Sequence, residues 1–252
     1  MHAGHQRAIS IGLSHLFDTA EADAVVVMDG DGEDRPEDLF RLIEACDSLD
    51  QPKIIFAERT RRTEGLVFRL FYRAYCVLHY TLSGYRIRFG NFSIVPNEML
   101  RRLVVDPNLG VHYAASVVAG NIPYTSIPTR RGTRLHGKSA LNFTKLVVHG
   151  LSAISCYNEI VSVRLLISFL CLAGLLGMFI IGAVVTGFLM PLSIPHWAAS
   201  AIGILVIVIM QALLISGICV LFAVSGRKAS LQLPCEHYKI YIHARERIQP
   251  GL

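Results

Sequence analysis

Apolar and polar positions divide the chain into three stretches. Up to about residue 160, short apolar runs of strand length alternate with segments of helical period. Two long apolar blocks follow, and a polar, basic tail closes the chain. In the first stretch, Gly4–Phe17 (GHQRAISIGLSHLF) reads as a helix with Ala8, Ile11, Leu13 and Leu16 as core positions. Ala24–Met28 reads as a buried strand that ends abruptly in acid. Pro36 then opens a helix in which Leu39, Leu42, Ile43 and Cys46 recur at helical spacing. Lys53–Ala57 is a second short strand, and Leu66–Leu82 an aromatic-rich helix. Arg88–Val95 is a turn leading into a strand, Pro96–Leu103 a short surface helix, and Ile122–Ile127 a further strand. Ser139–Ile154 is a second amphipathic helix. This alternation is that of an α/β domain built on an open sheet.

The two apolar blocks, Val163–Met190 and His196–Val224, are each long enough to cross a hydrocarbon core of roughly 30 Å. Pro191 and Pro195 bracket a short connection without Lys or Arg. Arg164 stands at the start of the first block, and Arg227 and Lys228 follow the second, so the positive-inside rule expects both outer ends in the cytosol. Ala183/Gly187 and Ala199/Gly203 are small-residue pairs that would let the two helices approach closely. Gln211, strongly polar at mid-span, is a candidate for hydrogen bonding within the hairpin or to a second copy in a homo-oligomer. In the tail, Leu231–Leu252, Tyr238–Ile242 reads as a short strand returning to the domain surface. The expected division is residues 1–160, a transmembrane hairpin at 161–226, and a cytosolic tail at 227–252.

Composition agrees with a soluble domain plus a few spans: of 252 residues, 52% are hydrophobic and 17% charged, with mean hydropathy +0.46. A net charge of +5 on a membrane-bound chain suits lipid headgroups and phosphorylated substrates. No nucleic-acid-binding motif occurs, so nucleic acid is not an expected partner. The six cysteines are scattered without CxxC pairs and read as reduced, hence a cytosolic face for the domain.

The richest chemistry lies in AVVVMDGDGEDRPEDL, Ala24–Leu39. A buried strand delivers Asp29, Asp31, Glu33 and Asp34 to its carboxyl end just before a helix, where open α/β sheets keep ligands. Two aspartates one residue apart on a Gly-containing turn suit a hard cation, Mg²⁺ or Mn²⁺, completed by waters and substrate phosphates. The plainer alternative is a solvated acidic turn with Asp34 capping the helix. After the second strand, Arg59, Arg61 and Arg62 offer guanidinium forks that match phosphate oxygens, or form a solvated basic loop. Arg62, Arg69 and Arg73 share a face of the Tyr-rich helix, as suits a bilayer interface. PTRRGTRLHGKSALNF places five basic side chains within Arg130–Lys138, suited to clamping a diphosphate or to a juxtamembrane basic patch. His149 reads as a polar residue on a helix face rather than a catalyst.

MDGDGEDRPEDL resembles the DxD segment of family 2 glycosyltransferases, and most closely that of the polyprenyl-phosphate sugar transferases (dolichol-phosphate mannosyltransferase-like). Gly4–Phe17 resembles the family's N-x-G-x-x-x-A-x-x-x-G-L helix. The arginines after the second strand resemble its R-x-x-R at Arg59 and Arg62, and the basic loop its R-x-x-G-x-S segment at Arg134, Gly137 and Ser139, beside Lys138. Two C-terminal spans occur in the bacterial members. The resemblance implies a GT-A, Rossmann-like fold in a bacterial inner membrane. It implies inverting transfer of a sugar from a nucleotide-sugar donor to a polyprenyl phosphate acceptor at the cytosolic leaflet. In that reading Asp29, Asp31 and Glu33 hold Mg²⁺ or Mn²⁺, and Arg59, Arg62, Arg134 and Lys138 neutralise phosphates, with Gly137 and Ser139 in the closing loop. Where many relatives have an acid this chain has Asn91, which is no base. A phosphate acceptor is already largely ionised near neutral pH and needs none, whereas a hydroxyl acceptor would. The family's base-gripping strands precede the first helix, so the resemblance implies an incomplete sheet, short by roughly 60–80 residues and with an exposed apolar edge. The alternatives are a hydroxyl acceptor, or an inactive membrane partner or scaffold.

Overall fold

The computed structural model describes residues 4–59, 66–87, 89–130, 132, 143–189, 196–229 and 233–242. They form two compact units: Met1–Tyr157 together with Ser230–Leu252, and Asn158–Ala229.

The first unit is built on a four-stranded sheet of β1 (Ala24–Val27), β2 (Ile54–Arg59), β3 (Ser93–Pro96) and β4 (Tyr124–Thr129) in the order β1-β3-β2-β4. β3 runs antiparallel to both neighbours, while β2 and β4 are parallel. The sheet is therefore mixed rather than purely parallel. The apolar pattern that identifies each strand carries no information on its direction. The consequence for function is positional. Val27 and Phe56 both pair with Ser93, and Arg59 pairs with Thr129, so the carboxyl ends of β1, β2 and β4 and the amino end of β3 meet at one sheet edge.

Alternation along the strands gives each sheet face its own core. On one face Val25, Val27, Ile54, Phe56 and Val95 pack with residues of α1 (His5–Thr19), α4 (Asn97–Leu103) and α5 (Tyr113–Ala119). Phe56 stacks on Phe89 with ring centroids 4.0 Å apart. On the other face Ile55, Ala57 and Ile94 pack on Leu42, Ala45 and Cys46 of α2 (Pro36–Asp47). Leu42 is fully buried, and its truncation to Ala would cost about 2–5 kcal/mol. Ile43 lies on the outer side of α2.

α1 buries part of the expected stripe: Leu13 is buried and Ile11 half-buried as expected, Ser10 and Ser14 are buried as well, with Ile9 and Phe17 beside them, whereas Ala8 and Leu16 are exposed. Short serines let the helix approach the 3₁₀ turn Pro107–Gly110, where a longer side chain would hold it off. The tail packs on α1 as well. α9 (Pro234–His237) and the 3₁₀ turn Tyr238–Ile240 stand where a strand was expected. Tyr238 donates to Asp18 at 2.8 Å, Lys239 pairs with Asp18 at 3.6 Å, and the Cys235 amide donates to the Val104 carbonyl. A lone segment with no strand partner satisfies its backbone locally by winding up.

α3 (Leu66–Ser83) and α6 (Phe143–Ser155) also belong to this unit. They meet where the Tyr75 hydroxyl donates to the Gly150 carbonyl. Leu70, Val77 and Leu78 of α3 and Val148 and Leu151 of α6 are exposed.

The second unit is a pair of packed helices, α7 (Asn158–Leu189) and α8 (His196–Ala229). Both are long and apolar enough to cross a membrane, with apolar side chains facing outward on all sides. At Gly203 an added Cβ would meet nothing within 4 Å, so this glycine does not make the close approach expected of it. Gln211 is exposed on α8. Pro191 and Pro195 lie outside the described residues.

Candidate functional site at the sheet edge

The acidic turn leaves β1 at Met28 and is folded by its own side chains. Asp34 is 3% exposed, and its carboxylate accepts from the Asp29 amide at 3.0 Å. It is thus a clamp across the turn. The residue before α2 is Arg35, which makes no side-chain cap. Asp31 Oδ1 accepts from the Glu33 amide at 2.9 Å, a local bond that aspartate favours in turns. Gly32 between them has φ +85°, a conformation that costs glycine little. Asp29, Asp31 and Glu33 therefore lie together on one ordered turn.

The loop after β4 docks on this turn. The Gly132 amide donates to the Glu33 carbonyl at 2.8 Å. The approach is so close that a Cβ at Gly132 would lie 2.5 Å from the Gly32 carbonyl and 3.1 Å from Arg35 Cγ. The basic segment that starts at Arg130 is thus fastened to the acidic turn at its second residue after Arg130. Arg134, Gly137, Lys138 and Ser139 lie outside the described residues, as do Arg61 and Arg62. Arg59 ends β2 at the same sheet edge.

Asn91 precedes β3 at this edge and is held from α1. The Tyr113 amide donates to Gln6 Oε1 at 2.7 Å, which turns Gln6 Nε2 toward Asn91 Oδ1 at 3.4 Å. Asn91 Nδ2 then faces His5 Nε2 at 2.8 Å, and an amide donor there requires a lone pair on that nitrogen. The same nitrogen lies 3.5 Å from Asp29 Oδ1. His5 and Gln6 thus link the acidic turn to Asn91. Neither stood out in the sequence, because one polar residue at a helix start carries no signal of a partner some eighty-five positions away.

Behind them His149 of α6 stacks on His112 with centroids 4.5 Å apart. His112 Nδ1 accepts from the Ala115 amide at the start of α5. Burial, reinforced by His149, holds the His112 imidazole far below its ordinary range, at about 3, and burial also lowers His149. Both rings are neutral packing groups near pH 7.

Among the described residues no three His, Cys, Asp or Glu side chains gather into a metal cage. What the turn offers is the carboxylates of Asp29 and Asp31, the first 3.5 Å from His5 Nε2 and the second accepting from the Glu33 amide. That is the donor set Mg²⁺ uses when waters and substrate phosphates complete its shell. Carboxylate oxygens are donor chemistry of the kind that suits a divalent ion bound together with a phosphorylated ligand. No protein-family model and no curated protein matches the chain.

Proposed function

We propose that the protein is a membrane-bound glycosyltransferase of GT-A type that moves a sugar from a nucleotide-sugar to a polyprenyl phosphate at the cytosolic leaflet. The observation that carries this reading is the Gly132–Glu33 bond, which ties the loop entering the basic segment to the acidic turn. A site for diphosphate departure needs both a place for a divalent cation and cationic side chains around it.

Bound at Asp29 and Asp31, with Glu33 alongside, Mg²⁺ or Mn²⁺ would supply positive charge to the donor diphosphate. The chain's own residues do the rest. Asp34 and the Asp31–Glu33 bond hold the shape of the turn. Arg59, Arg62, Arg134 and Lys138 neutralise phosphate oxygens. The acceptor phosphate oxygen forms a bond to the anomeric carbon from the face opposite the leaving group. The carbon–oxygen bond to the nucleoside diphosphate breaks, and its electron pair stays on the diphosphate. No proton has to move, so Asn91 orients without accepting one. The exposed apolar side chains of α3 and α6 and the apolar surfaces of α7 and α8 support a lipid setting for this chemistry.

A hydroxyl acceptor is the second reading, favoured by one observation: an imidazole nitrogen of His5 lies at the site, 2.8 Å from Asn91 Nδ2 and 3.5 Å from Asp29 Oδ1. The test is a radiolabelled-sugar assay in membranes, with a panel of nucleotide-sugars and either a polyprenyl phosphate or a lipid alcohol as acceptor. Label in a prenyl-phosphate sugar supports the first reading, and label only in the alcohol product replaces it with the second. No transfer with any donor contradicts both.

A further inference from the structure

A cleft of about 410 Å³ opens between the first turns of α2 and the end of β4, lined by Arg35, Glu37, Asp38, Arg41, Thr129 and Arg130. It brings three guanidinium groups together from two elements. Two of them are steered by carboxylates of α2 itself: Arg35 Nε donates to Glu37 at 3.2 Å, and Arg41 Nη1 donates to Asp38 at 2.9 Å. Each of those bonds uses one N–H of the five a guanidinium carries, so both arginines are oriented yet retain donors. Asp38 is buried, which fixes Arg41 at the wall, whereas Glu37 is largely in solvent and its charge is screened. Arg130 has no carboxylate partner among the described residues. The balance in the cleft is three positive charges against two negative, and the amino end of the twelve-residue helix α2 adds to the positive potential. The volume falls within the range of small-molecule sites.

We propose that this cleft is a cation-independent oxyanion subsite that takes the phosphate group of a phosphomonoester or a diphosphate. Three arginine forks match a tetrahedral group with several equivalent acceptor oxygens better than a planar carboxylate, which one fork satisfies. Neither Asp29 nor Asp31 lines the cleft, and it uses none of the arginines assigned above to the donor phosphates. The proposal deepens the transferase reading by giving the phosphorylated partner a second hold. The phosphate has two possible sources, a prenyl-phosphate headgroup in the bilayer or a free nucleoside diphosphate.

The test is binding to the full chain in nanodiscs with EDTA present, so that no cation bridges ligand and acidic turn. One arm titrates inorganic pyrophosphate and then a nucleoside diphosphate. The other compares nanodiscs with and without a polyprenyl monophosphate, read by ³¹P NMR. Binding in one arm that persists in EDTA and weakens tenfold or more in both R41Q and R130Q is the expected result, and the arm that responds names the source. R41K and R130K, which keep the charge and lose the fork, should fall between. Arg130 has no partner to lose among the described residues, so R130Q reports on binding even where R41Q disturbs folding. Binding within twofold of wild type in R130Q, binding that vanishes in EDTA, or no binding in either arm overturns the subsite. Because no transfer is measured, loss of the enzymatic reading would leave this result standing, and the reverse holds as well.

Discussion

At the scale of single residues, buried polar groups set the sharpest expectations. Ser14 is fully buried on α1, and its hydroxyl finds no hydrogen-bond partner among the described residues. A buried donor left unsatisfied costs about 1–3 kcal/mol, so Ser14→Ala should raise the melting temperature or leave it unchanged. A fall of several degrees would mean that the hydroxyl is satisfied after all. His112 sets a pH dependence. Burial lowers its pKa from 6.5 to about 3, so between those values the unfolded chain binds more protons than the folded one. The stability contributed by the neutral ring is complete above the unfolded value and is lost as pH falls through that window, by about 1.4 kcal/mol per pH unit. His112→Asn keeps an acceptor at the start of α5 and should flatten the acid limb of melting temperature against pH. An unchanged limb would assign acid sensitivity to other groups.

At the scale of elements, the contact between the acidic turn and the β4 loop is the decisive one. Gly132→Ala places a methyl group against the Gly32 carbonyl, so the loop must lift off the turn. Sugar transfer should fall at least tenfold in this variant while the melting temperature moves by no more than a few degrees, since the strain sits in a surface loop. Transfer at the wild-type rate would detach the loop from the site. The elements themselves were legible in the apolar pattern: α2 starts at Pro36 as its punctuation indicates, and the three strand ends carrying Asp29, Arg59 and Asn91 were each visible as apolar runs meeting polar ones. Three things were not. Strand direction has no local signature, so the antiparallel β3 came only with the sheet. The buried stripe of α1 runs through serines, which hydropathy counts as surface. The clamp by Asp34 and the link through His5 and Gln6 depend on contacts between residues of unremarkable type. The cleft at Arg35, Arg41 and Arg130 was hidden for the same reason, because its arginines lie on two elements far apart in sequence.

At the scale of the whole molecule, both ends of the α7–α8 hairpin continue into the same compact unit, through Tyr157 on one side and the tail on the other. If the hairpin spans a bilayer, its two outer ends share a face, in keeping with Arg164, Arg227 and Lys228 near those ends. A green fluorescent protein fused after Leu252 should therefore fluoresce in the cytosol, and alkaline phosphatase fused at the same place should be silent. The opposite pair of results would invert the topology. The most direct test of the central claim, that the acidic turn is a cation-dependent transfer site for a lipid phosphate, is sugar transfer by Asp31→Ala in native membranes, run beside wild type with and without chelator. The account predicts that wild-type transfer is abolished by chelation and restored by Mg²⁺ or Mn²⁺, and that Asp31→Ala loses roughly 10²-fold or more while remaining inserted in the membrane. Undiminished transfer by Asp31→Ala would contradict it.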